Sequence, residues 1–198
     1  STHKNEEIFC ANVHIQLKKR IPNLLTIIIP RHVDRVNEII TQMHSYNLKI
    51  ATHSSKLKSE LNKKKIWVAS STHKNEEIFC ANAHKELKKR IKNLITIIIP
   101  RHVHRANEIA QEMRGIDLKV AYHSSYFKTL KNIDVYIVDT FGETKLFHKI
   151  SSSVFLGGSI IKRGGQNPLE AARLGSKILH GPNIDNFKDV YKLLKLLN

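Results

Sequence analysis

Gly157 to Glu170 reads GGSIIKRGGQNPLE, and its residue types suit the binding of an anion beside a hydroxylated ligand. Two glycine pairs let the backbone approach a bound group closely. Lys162 and Arg163 stand between the pairs, and Pro168 favours the first turn of a helix. The N–H groups of Gly164 to Asn167 then face whatever lies before that helix, where the dipole favours negative charge. One turn in, Glu170 is placed to accept hydroxyls of a sugar. For this stretch taken alone, a plain loop entering a capped helix is the alternative.

Three other turns carry comparable chemistry. Arg101 and His102 follow the apolar run ITIIIP, a place from which a planar guanidinium can grip phosphate with two hydrogen bonds. An ordinary basic surface pair reads the same way. Ser71, Thr72 and His73 form an earlier turn, with Asn75 as an N-cap ahead of Glu76 and Glu77; simple capping is the competing account. In DTFGE, after VYIVD, Phe141 and Gly142 make a tight turn whose amide and carbonyl groups suit a base edge, unless Asp139 and Thr140 merely start a helix. The 12 histidines come without HExxH, a cysteine cluster or a carboxylate triad, so no metal site is expected.

The elements that position these turns follow from periodicity. Short apolar runs at Ile66–Ser70, Leu94–Pro100, Leu118–Tyr122, Val135–Asp139, Val154–Leu156 and Lys177–Leu179 read as strands. Helical stretches fall between most of them. One carries Phe79, Ala83 and Leu87 on a stripe; another carries Ala106, Ile109, Ala110 and Met113 and closes at Gly115. Further helices are expected near Glu143–Ile150, Pro168–Leu174 and Asp185–Leu197. Strands alternating with helices predict an α/β, Rossmann-like doubly wound parallel sheet, with ligands at the carboxyl ends of its strands.

A long segment occurs twice. Shifting the chain by 70 residues pairs Ser1–Ser55 with Ser71–Ser125, with 39 identities among the 55 positions. We therefore divide the chain into a duplicated partial βαβ segment at 1–64, with strands near Leu24–Pro30 and Leu48–Thr52, and a ligand-binding domain at 65–198. All eight glycines lie between Gly115 and Gly181, which assigns the site to the second copy. In the first copy Val36, Ile39, Ile40 and Met43 need burial, at a sheet edge, in competition with the second copy, or by exchange with another chain.

With 33 Lys and Arg against 17 Asp and Glu, the formal charge is +16, which favours polyanions: phosphorylated ligands, an anionic membrane or nucleic acid. A Lys-, Ile- and Asn-rich composition with a solvated basic surface explains it equally. No basic helix with interleaved aromatics supports a nucleic-acid module. Cys10 and Cys80 are the same position of the two copies, which favours free thiols and a reducing compartment. LLTIIIP and LITIIIP are too short to span a bilayer.

In order, WVASSTHKNEE, IIIPRHVHR, VDTFGE, FLGGSIIKRGGQNPLEAARLG and GPNIDNFKD resemble the C-terminal, donor-binding domain of the bacterial Kdo (3-deoxy-D-manno-octulosonic acid) transferases. The resemblance covers about residues 65 to 190 and repeats its first part over 1 to 55. It implies half of a GT-B glycosyltransferase, two Rossmann-like domains across a cleft. Such an enzyme moves Kdo from CMP-Kdo to lipid A precursor, with inversion and without a metal or other cofactor. The family works at the cytoplasmic face of the inner membrane. Carried over, Arg101, with His102 beside it, binds the CMP phosphate and the turn of Phe141 and Gly142 contacts cytosine. Gly164, Gly165 and Asn167 hold the phosphate side, Glu170 binds the ribose, and Ser71 and Ser159 line the pocket.

The family usually reads GGHN where Gln166 stands, and STHEGEE is common where STHKNEE stands. The resemblance also implies that the general base and acceptor surface belong to an N-terminal domain outside this chain. The chain then reads as a soluble fragment that binds donor without turnover. A GT-B fragment using a UDP-sugar, or a basic module for nucleic acid or anionic membrane, is the alternative.

Overall fold

A computed structural model describes residues 2–32, 35–50, 57, 59–125 and 130–196. Its contacts divide the chain into Ser1–Lys56 and Leu57–Asn198.

The second unit is a six-stranded parallel sheet. Its strands are β1 (Lys65–Thr72), β2 (Leu94–Pro100), β3 (Val120–Tyr122), β4 (Val135–Ile137), β5 (Ser153–Leu156) and β6 (Lys177–His180). They lie in the order β3-β4-β2-β1-β5-β6, so the winding reverses between β1 and β5. Every residue of β2 is buried, as expected of a central parallel strand. One face of the sheet packs Ile66, Val68, Ile95, Ile97, Tyr136 and Val154 against Leu57, Leu61, Phe147, Ala171 and Tyr191. The other packs Trp67, Ala69, Ile98, Ile137 and Phe155 against Cys80, Ala81, Ile109, Ala110 and Met113. Residues two apart along a strand share a face, so each strand serves both cores.

In the second unit α3 is Glu76–Lys88, α4 Ala106–Gly115, α5 Thr144–Ile150, α6 Leu169–Arg173 and α7 Lys188–Leu196. The face of α3 differs from expectation. Phe79 is 55% exposed and Leu87 39%, whereas Glu77, Cys80, Ala81 and His84 are buried. Small residues at 80 and 81 bring the helix close to the sheet. Glu77 is met by Arg105, and His84 by Thr96 through Nδ1, with Asp134 3.6 Å from its Nε2. At the end of α4 the left-handed residue is Asp117, at φ 62, rather than Gly115.

The first unit contains α1 (Glu6–Lys18) and α2 (Val36–Ser45), with Ala11, Ile39 and Met43 as its buried core. Its polar contacts copy the second: Arg35 pairs with Glu7 as Arg105 pairs with Glu77, and His14 meets Thr26 at 2.8 Å as His84 meets Thr96. The strands do not follow. Residues 24–30 form no strand, and their one bridge joins Thr2 to Pro30. Leu25, Ile27 and Ile29 are 79%, 76% and 65% exposed. A strand needs neighbours to pair its N–H and C=O groups. The counterparts of β2's neighbours are β1 at 65–72 and β4 at 135–137, and the described residues of the first unit hold neither. Residues 48–50 are likewise not a strand, and 51–52 lie outside the described residues.

Both copies place an asparagine, Asn5 or Asn75, in the left-handed region at φ 75 and φ 76, before the helix. Asparagine is among the few side chains that adopt this conformation readily, which accounts for its place in both copies. Asn75 makes no side-chain cap. Among the described residues no helix is long and apolar enough to cross a membrane.

Candidate functional site

The reversal between β1 and β5 opens a crevice at their carboxyl ends, where ligands of such sheets bind. The end of β1 is irregular there. A bulge shifts the register between Ser70 and Thr72, and Ser71 takes φ 54. This turns the Ser71 carbonyl onto Gly157, where a Cβ would meet it at 2.3 Å, so only glycine fits.

Glu76 fixes the loop that follows. Its buried carboxylate accepts the amides of Gly158 at 2.7 Å, and of His73, Ser159 and Ile160 at 3.0 Å each. It thereby fills the anion-attracting concavity of the loop and ties the turn after β1 to the turn after β5. Glu77, next to it, holds Arg105 at 2.7 Å, anchoring the segment after β2. His123 and Thr140 bind Glu143, while Ser124 donates to Asp139, which secures the DTFGE turn.

A cavity of about 570 Å³ lies at this crevice. Of the residues expected at a site, Ser71, Asn167 and Glu170 line it together. Gln166, of the amide run expected to face the ligand, lines it too, as do Ser70, Thr144, Lys145, His148 and Arg173, none of them anticipated as site residues. The spacing of Thr144 and His148, four apart in a helix directly after DTFGE, was the signal that could have found them. Lys145 Nζ lies 3.8 Å from Glu170 Oε1. His148 is buried, with Nε2 3.0 Å from Ser70 Oγ; burial lowers its pKa against the pull of Glu170.

The remaining expected residues lie outside that lining. Arg101 is exposed and its amide donates to Thr72 O at 2.9 Å. His102 stacks edge-on to His73, centroids 6.1 Å apart. Burial lowers the His73 pKa; Arg163 and His102 act in the same sense, against Glu76. Phe141 is 79% exposed at the tip of its turn beside Gly142. The Ser159 hydroxyl donates to Leu156 O at 2.5 Å and accepts from Gly181 N at 2.8 Å, so it is committed within the loop. Gly164 and Gly165 share φ 77, and the Gly165 amide donates to Gly158 O at 2.9 Å. Thr144, Lys145 and Glu170 thus offer hydroxyl, cationic and anionic groups around a space of nucleotide size.

No family model matches the chain. A 3-deoxy-D-manno-octulosonic acid transferase of Rickettsia bellii is 37% identical over 137 residues, 69% of this chain and 32% of that protein. The Haemophilus influenzae enzyme of the same name is 32% identical over 129 residues, 65% of this chain and 30% of that protein. The C-terminal CMP-Kdo binding domain of WaaA from Acinetobacter baumannii has the same fold, with a TM-score of 0.63 and 28% identity over 71% of this chain and 74% of that one. The chain is a relative of the Kdo transferases. It spans about a third of the length of the curated Kdo transferases it matches, and its likeness in structure is to the C-terminal CMP-Kdo binding domain of WaaA.

Proposed function

We propose that residues 65–198 form the donor-nucleotide-binding domain of a Kdo transferase, a glycosyltransferase that moves Kdo from CMP-Kdo to lipid A precursor in lipopolysaccharide biosynthesis. The observation that carries this is the convergence of Ser71, Asn167 and Glu170 on one cavity at the reversal of the sheet, in a fold shared with a CMP-Kdo binding domain. Glu170 accepts ribose hydroxyls. Arg101 and His102 face the phosphate, Gly164, Gly165 and Asn167 hold its other side, and the turn of Phe141 and Gly142 meets cytosine. Ser159 shapes the loop rather than bonding the ligand, since its hydroxyl is already engaged. Positive charge near the departing nucleotide favours its release as an anion.

The reading extends to the setting. The acceptor is met by residues outside this chain, at the cytoplasmic face of the inner membrane. The +16 charge supports contact with an anionic membrane surface, and the near-identity of the copies supports a homo-oligomer formed by exchange. Alone, the chain binds donor without turnover.

Calorimetric titration of the 198-residue chain with CMP tests the site. Saturable binding is expected, weakened roughly tenfold or more by Glu170→Ala and by Arg101→Ala, each removing a charged hydrogen-bond partner. UMP and UDP compete poorly. Equal affinity for UDP points to a UDP-sugar enzyme instead, and a flat CMP titration of the folded chain overturns the reading.

A further inference from the structure

His148 was not among the residues expected at the site, yet it combines three features there. It is 3% exposed, it lines the cavity, and one of its ring nitrogens is committed while the other is not. Nε2 meets Ser70 Oγ at 3.0 Å, and Ser70 is itself 1% exposed, so the ring is held from β1. Nδ1 is buried and meets no hydrogen-bond partner among the described residues. Buried polar side-chain atoms are paired in the large majority of cases, and an unpaired one in a side chain that lines a ligand-sized cavity points to pairing with what the cavity binds. Gln42 Oε1, Trp67 Nε1, Thr72 Oγ1 and His84 Nε2, also buried without partners, belong to residues that do not line this cavity.

Glu170 supplies the second half of the geometry. It lines the same cavity from α6 while His148 lines it from α5, and the two are close enough to interact electrostatically. A carboxylate accepts hydrogen bonds on both oxygens and donates none; an imidazole nitrogen accepts or donates according to its tautomer. Facing one cavity from two helices, they match a vicinal diol. One hydroxyl donates to Glu170, and its neighbour pairs with the imidazole.

We propose that His148, anchored by Ser70, reads the ribose: its Nδ1 hydrogen-bonds one hydroxyl of the bound nucleotide while Glu170 accepts the other. This rests on the reading that Glu170 meets the ribose of CMP. It adds a specificity-determining residue, for ribonucleotide over deoxyribonucleotide, and a positioning role for Ser70.

The test titrates the full chain and His148→Phe with CMP, 2′-deoxy-CMP and 3′-deoxy-CMP. Phenylalanine keeps the ring shape and removes both nitrogens. The expected result is that CMP affinity falls about tenfold in the variant, the size of one lost hydrogen bond, while the deoxynucleotide lacking the hydroxyl held by His148 binds both proteins alike. An equal drop for all three ligands, or no drop for any, overturns the proposal and leaves the CMP site standing. If the wild-type chain fails to bind CMP, the site reading and the proposal fall together. Ser70→Ala, a smaller change, reports independently of how His148→Phe folds. It is expected to reduce discrimination between CMP and the same deoxynucleotide several-fold, and discrimination at the wild-type level refutes the anchoring role.

Discussion

Glu76 and Glu77 are adjacent, both fully buried, and each serves a different loop. Glu76 is satisfied by four backbone amides, whereas Glu77 relies on the Arg105 guanidinium at 2.7 Å. The distinction sets what their loss costs. Arg105→Ala leaves an uncompensated carboxylate in the interior, which typically destabilises by about 3–5 kcal/mol. Urea denaturation is expected to show a fall of that order. A change under 1 kcal/mol would mean that Glu77 finds another partner or lies open to water. Glu108 is the nearest rival for Arg105, at 3.3 Å, but its side chain is 41% exposed, and pairs of that kind contribute only about 0–1 kcal/mol.

At the scale of elements, the two copies separate what local sequence encodes from what context supplies. Their helices and polar pairs are the same, since Glu7–Arg35 and Glu77–Arg105 are contacts within one copy. Their strands are not: TIIIP is wholly buried at 96–100, while Ile27 and Ile29 of the first TIIIP are exposed. Periodicity therefore revealed the strands of residues 65–198 and two of the turns, those of Ser71 and Asn167, that border the cavity, and misplaced a strand at 24–30, where a single bridge joins Pro30 to Thr2. It also misread the stripe of α3, because burial there follows small residues and paired charges rather than Phe79. Glu76 and His148 escaped notice for a related reason: their partners, Gly158–Ile160 and Ser70, lie 78 or more residues away. Deleting 1–56 is expected to leave the fold and CMP affinity of the remainder unchanged. Leu57 and Leu61, each 1% exposed in the sheet core, must stay, and Leu61→Ala is expected to cost about 2–5 kcal/mol. Loss of CMP binding on deletion of 1–56, with the sheet intact by circular dichroism, would assign the first copy a part in the site.

For the molecule as a whole, pH acts through the imidazoles that the fold keeps neutral. Burial holds the pKa values of His73, His84 and His148 below their ordinary 6.5, despite carboxylates near each: Glu76, Asp134 and Glu170. When the folded pKa is the lower one, the unfolded chain binds more protons as pH drops below about 6.5, so stability declines in that direction. Carboxylates act at lower pH, Asp134 and Glu112 in opposite senses. Asp134 is buried, which raises its pKa, but Lys88 and the Lys119 amide outweigh this and lower it below 3.8, so its contribution persists until strongly acid pH. Glu112 is raised above 4.5 by burial and by Glu108 and Glu77, and stabilises slightly as pH falls. Three imidazoles against one half-exposed carboxylate decide the sign between pH 7 and pH 5. Protonation also adds to a chain already at +16, and the repulsion works in the same direction. Urea midpoints at pH 7.5, 6.5 and 5.5, at constant ionic strength, should therefore fall in that order. His148→Phe should flatten the dependence in part, because it removes one of the three groups that the folded state holds neutral. Midpoints that stay level or rise toward pH 5.5 would mean that these rings take up protons in the folded protein as readily as in the unfolded chain.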